Sequence, residues 1–123
     1  MRFERLVAPY AAGVGLAMIG MWSVILASGD VPEFRTAPLE IGFHLVAEGL
    51  TAAALLVTGV GTWRDSDRAR RGLPIALGML IYTVVNSAGY YAQLGEAAMV
   101  GLFGVLTIAT LVFVVDYLGE SGR

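Results

Sequence analysis

The chain has 123 residues, of which 57% are hydrophobic and 15% charged, and its mean hydropathy is +0.73. A soluble domain carries roughly 25% charged residues, so this composition lacks the polar surface that a water-soluble globule needs. The net charge of −2 offers nothing to nucleic acid, and the lack of cysteine excludes disulfides, thiolate metal sites and thiol redox chemistry.

Crossing about 30 Å of hydrocarbon at about 1.5 Å per residue takes about 20 apolar residues. Four segments are long enough: about 6–28, 38–63, 73–93 and 96–118. Short connections leave no room for a soluble domain. The expected fold is therefore an all-α integral membrane protein, one four-helix antiparallel bundle spanning 1–123.

The first span follows "RFER" and ends at "LASG". Its apolar stretch exceeds the usual signal-peptide core of about 7–15 residues, so it reads as a retained helix. Pro9 stands near its start, where a missing N–H costs little. The first connection, "GDVPEFRTAP", is polar and stiffened by Pro32 and Pro38.

The second span, "PLEIGFHLVAEGLTAAALLVTGVGTW", places Glu40, His44 and Glu48 at four-residue intervals. At about 100° per residue they share roughly 80° of arc. An isolated charge at mid-bilayer costs on the order of 3 kcal/mol on insertion scales, so this stripe should face protein. The second connection carries Arg64, Arg68, Arg70 and Arg71.

The third span opens around Pro74 and carries Tyr82, Asn86 and Tyr90, again four apart, with Gln93 on their arc. Pairing the outer ends, Pro38 with Gln93, sets His44 level with Asn86 or Ser87. Glu48 then meets Tyr82 or Thr83, and Glu40 meets Tyr90 or Tyr91. Trp22 and Ser23 of the first span and Met99 of the fourth lie at similar depth. The third connection is a bare turn around "LGE", which makes the third and fourth spans neighbours. Small residues four apart, Ala11 with Gly15 and Ala97 with Gly101, suit close helix contact inside the chain or in a homo-oligomer.

Arginine sets the orientation. Seven of eight lie before the first span, between the second and third, or at the end: Arg2, Arg5, Arg64, Arg68, Arg70, Arg71 and Arg123. Only Arg35 lies in the first connection. The positive-inside rule then puts both termini in the cytoplasm and makes this a multi-pass cell-membrane protein. Lipids are its expected partners, with anionic headgroups suited to the arginine cluster.

A histidine and a carboxylate one turn apart can share a proton and bind a cation, a protonated amine or a polar headgroup. The leading expectation is a ligand site at His44, Glu48, Asn86 and Tyr82, with Glu40 and Tyr90 nearer the outer surface. It would open outward beneath the first connection. The alternative is a structural or accessory subunit whose polar stripe fixes helix packing. A third reading is a small proton-coupled transporter, although Tyr10, Thr107 and Thr110 offer little polarity on the inner side. An enzyme is poorly supported and no catalytic residue stands out. Glu40 and Glu48 are about 12 Å apart in helix rise and cannot hold one ion together. With one histidine per chain, bis-histidine haem ligation would need a dimer. The sequence specifies no cofactor or metal.

Overall fold

A computed structural model describes the backbone of residues 2–121 and the side chains of residues 5–119. The helices are α1 (Arg2–Ser28), α2 (Glu33–Thr36), α3 (Pro38–Trp63), α4 (Asp67–Gln93) and α5 (Ala97–Ser121). All but α2 are long and apolar enough to cross a membrane. Val24, Leu39, Val57 and Val115 stand at least 70% exposed, a surface suited to hydrocarbon rather than water. Arg123 and the Arg2 side chain, two of the orientation residues, lie outside the described residues.

Helix starts differ from the apolar boundaries. The third span is expected from residue 73, but α4 begins at Asp67. Hydropathy marks where a segment becomes apolar, whereas a helix begins where its first N–H groups find acceptors. Ser66 caps α4 by accepting the Ala69 N–H at 3.3 Å, and Asp67 adds favourable negative charge to the first turn. α1 likewise begins at Arg2, ahead of residue 6. Pro9 and Pro74 therefore lie inside their helices rather than in the first turn.

An interior proline leaves the carbonyl four residues earlier without its helical donor. For Pro74 that carbonyl belongs to Arg70. The Tyr117 hydroxyl of α5 donates to it at 2.8 Å, and Tyr117 is buried. Tyr117→Phe should cost about 1–3 kcal/mol, because a carbonyl loses its replacement donor. A lowered unfolding midpoint in detergent would show this; an unchanged midpoint would mean that water serves the carbonyl equally well.

The tight connections follow from left-handed residues. Gly95 at φ 76° closes α4: its N–H reaches the Ala92 carbonyl, and the Glu96 N–H reaches Tyr91. Asp65 at φ 64° closes α3 with the same paired bonds, to Thr62 from itself and to Gly61 from Ser66. These are Schellman ends, in which orphan carbonyls are satisfied by the turn that follows.

The core runs through Val7, Leu55, Leu73, Leu77 and Leu80, all essentially inaccessible. α3 packs against both α1 and α4; α5 packs on α4 and touches α1 more lightly. The α1–α3 seam is very close. A Cβ added at Gly59 would lie 2.8 Å from the Ala12 nitrogen and 2.9 Å from the Ala8 carbonyl oxygen. One at Gly15 would lie 2.9 Å from the Ala52 carbonyl oxygen. Of the two uses open to the Ala11–Gly15 face, contact inside the chain is the one seen: it packs on α3, because only small residues admit backbones this close. Ala97 and Gly101 of α5 remain exposed.

Candidate functional site

Glu48 is 6% exposed, midway along α3 among apolar neighbours. The Thr83 hydroxyl of α4 donates to its Oε1 at 2.6 Å. His44, one turn earlier, places Nε2 at 3.6 Å from the same oxygen. That is a charge-pair distance when the imidazole is protonated, and too long for a direct hydrogen bond. Among the described residues Glu48 Oε2 accepts no hydrogen bond.

Trp22 of α1 stands edge-on to the His44 ring, with centroids 5.7 Å apart and planes at 64°. Its Nε1 is buried and makes no hydrogen bond. Trp22 and Glu48 are shared by two cavities. One, of about 240 Å³, is an apolar groove between α1 and α3, lined by residues such as Met18, Ile19 and Leu45. The other, of about 450 Å³, lies at the end of the bundle that carries the first and third connections.

His44, Glu48, Glu40, Asn86 and Tyr90 all line the larger cavity. Tyr82 does not: it is 72% exposed, and Thr83 takes the place opposite Glu48. The inward edge of α4 runs one residue over, through Thr83, Ser87 and Tyr91, so residues on the 82–86–90 line stand toward the outside. Asn86 and Tyr90 touch the cavity from that outer edge and are themselves largely exposed. Ser23 lines the apolar groove, while Met99 packs on the core and Phe103 forms the α5 wall.

Three further carboxylates come from the connections. Asp30, Glu33 and Glu96 line the larger cavity, which no arginine among the described residues lines. Their membership was hidden because each reads alone as a loop charge. The available signal was topological: the first and third connections must emerge at one end of the bundle.

The mouth is tied by one side-chain bond. The Tyr90 hydroxyl donates to Glu33 Oε2 at 3.2 Å, joining α2 to the end of α4. Tyr90 meets Tyr91 edge-on at 5.2 Å, and Tyr91 stacks on Phe103 at 5.7 Å and 11°. Tyr90→Phe should release α2, seen as a several-fold rise in amide exchange across residues 33–37. Unchanged exchange would show that the proline-bounded connection holds itself.

At the opposite end Tyr10 and the α5 threonines are engaged, whereas the Thr62 hydroxyl and Asp116 Oδ2 are buried without a hydrogen-bond partner among the described residues. The Tyr10 and Thr110 hydroxyls lie 2.8 Å apart, and Thr107 and Thr110 donate to the carbonyls of Phe103 and Leu106. Among the described residues, no group of three or more His, Cys, Asp or Glu could hold a metal ion.

Together these features describe an all-helical protein with four helices long and apolar enough to cross a membrane and a carboxylate-lined cavity at one end. The chain belongs to the DUF8058 family, a domain of unknown function, whose model matches residues 1–123. No curated protein and no solved structure matches it.

Proposed function

We propose that this protein is a cell-membrane ligand-binding bundle: a single antiparallel four-helix domain with both termini cytoplasmic and an outward-opening pocket at His44, Glu48, Asn86, Glu40 and Tyr90. The contact pairs support the antiparallel arrangement. Gly59 lies by Ala8 and Ala12 while Gly15 lies by Ala52. Glu48 meets Thr83 while Tyr117 meets Arg70. The arginine count supports the orientation.

The observation that carries the binding reading is the unmet polarity at one wall. Beside a cavity of about 450 Å³ the Trp22 indole N–H is buried without a partner, and Glu48 Oε2 accepts no hydrogen bond among the described residues. Buried polar groups are normally hydrogen-bonded, and exceptions call for a reason. A ligand in the larger cavity supplies one, and intramembrane ionisable groups commonly mark such sites.

Native mass spectrometry of the gently purified protein tests this. The wild type should carry a small molecule or ion that the His44→Ala, Glu48→Gln double variant lacks. An unliganded wild type with the same oligomeric state as the variant would refute the proposal.

One observation favours a second reading. The 2.6 Å bond from Thr83 to Glu48 links α4 to α3 and can act as helix-packing glue. Such interhelical bonds average about 0.6 kcal/mol in membranes. A packing role accounts for one Glu48 oxygen and leaves the other unexplained.

A further inference from the structure

We infer that the pocket selects an amphiphilic organic cation, with its ammonium-type head in the carboxylate-lined cavity and its apolar arm in the α1–α3 groove. This deepens the pocket reading and rests on it.

The charge of the lining points to a cation. Asp30, Glu33, Glu40, Glu48 and Glu96 face the larger cavity, and His44 is the only basic residue among its lining. An anion would meet carboxylates on several sides. Glu48 is the decisive member, because it is buried and its Oε2 is free of hydrogen bonds at the cavity wall. A carboxylate on a buried side chain, with one oxygen free of hydrogen bonds beside a cavity, favours a positive partner.

The spacing argues against a metal ion. A hard cation needs several oxygens converging at about 2–2.6 Å, and no described trio of acidic or histidine side chains converges in this way. The carboxylates are instead distributed around a volume suited to a polyatomic ligand. Trp22, Tyr90, Tyr91 and Phe103 line the same space. Aromatic faces attract ammonium groups, and quaternary ammonium recognition uses such walls.

The second cavity extends the argument to the rest of the ligand. The α1–α3 groove is lined almost wholly by apolar atoms and meets the larger cavity at Trp22 and Glu48. A molecule with its charge at Glu48 can therefore place a hydrocarbon arm along Met18, Ile19 and Leu45. A small hydrophilic amine would leave that groove unused.

The test uses the full chain in nanodiscs with Trp63→Phe, which removes the exposed tryptophan and leaves Trp22 as reporter. The probes are hexyltrimethylammonium, octan-1-ol and hexanesulfonate, each titrated against Trp22 fluorescence. The ammonium should bind at least about tenfold more tightly than the alcohol, and the sulfonate not at all. Glu48→Gln should abolish that preference. Glu40→Gln, at an exposed position where folding is insensitive, should reduce it by several-fold. Equal binding of alcohol and ammonium, with no change in Glu40→Gln, overturns the charge preference while the pocket itself stands. Failure of all three probes, with unliganded wild type in native mass spectrometry, overturns both.

Discussion

Gly59→Val should strongly disrupt the seam between α1 and α3. Its Cβ alone would press on two backbone atoms of α1 at 2.8 and 2.9 Å. Backbone cannot rotate away as a side chain can, so the whole of α1 must shift from α3. Overpacking typically costs about 1–3 kcal/mol, and a β-branched residue against two backbone contacts should lie at or above the top of that range. The shift would also separate Trp22 from His44, coupling the seam to the site. Thermal unfolding in detergent measures it, with Gly13→Val as the control because a Cβ there meets nothing within 4 Å. If the two variants melt together, the α1–α3 seam is not close-packed and the account of small residues along it fails.

The second large effect separates binding from packing. The double variant Glu48→Leu, Thr83→Val removes both ends of the α3–α4 hydrogen bond while keeping apolar bulk. Replacing a buried polar pair by hydrophobic residues of similar volume is often neutral or stabilising. The variant should therefore fold with stability within about 1 kcal/mol of wild type. Its binding of hexyltrimethylammonium should fall by at least about 100-fold, roughly 2.7 kcal/mol or more, because a desolvated charge partner is gone. Full stability with intact binding would remove Glu48 from the site. A collapse of stability would instead make the Glu48–Thr83 bond the main tie between the helices.

Much of the architecture is legible from hydropathy, because lipid imposes a length and a polarity that sequence must obey. The four long helices follow from runs of Leu, Val, Ala and Gly. Their starts do not, since Asp67 and Arg70 are polar but helical, and the cap at Ser66 is a separate signal from the apolar run. α2 escapes because four residues, "EFRT", show no periodicity; Glu33 at its start and Arg35 at its end are the only hints.

The site is legible on α3 and only partly on α4. Glu48 and His44 stand out because charge is conspicuous in an apolar run. On α4 the four-residue spacing of Tyr82, Asn86 and Tyr90 drifts about 40° per step. Choosing the face by its largest polar side chains then selects Tyr82 over the smaller Thr83. The hydroxyl that reaches Glu48 belongs to the residue that also passes as an ordinary span residue. Asp30, Glu33 and Glu96 enter the site only once the connections are placed in space.

The bond from Tyr117 to the Arg70 carbonyl has a consequence for how the chain is assembled. While the ribosome has delivered α4 and not yet α5, Pro74 leaves that carbonyl lacking its helical donor, and its replacement lies 47 residues further along the chain. Arg70 lies among the arginines of the second connection, where water can serve the carbonyl until Tyr117 arrives. That bond closes as the last two long helices, joined by only Leu94, Gly95 and Glu96, pair as one hairpin. Biogenesis would then proceed in two acts, with α1 and α3 zipped along their glycines and the α4–α5 hairpin docking afterwards. The acidic cavity would come into being only at that last step, when Thr83 reaches Glu48.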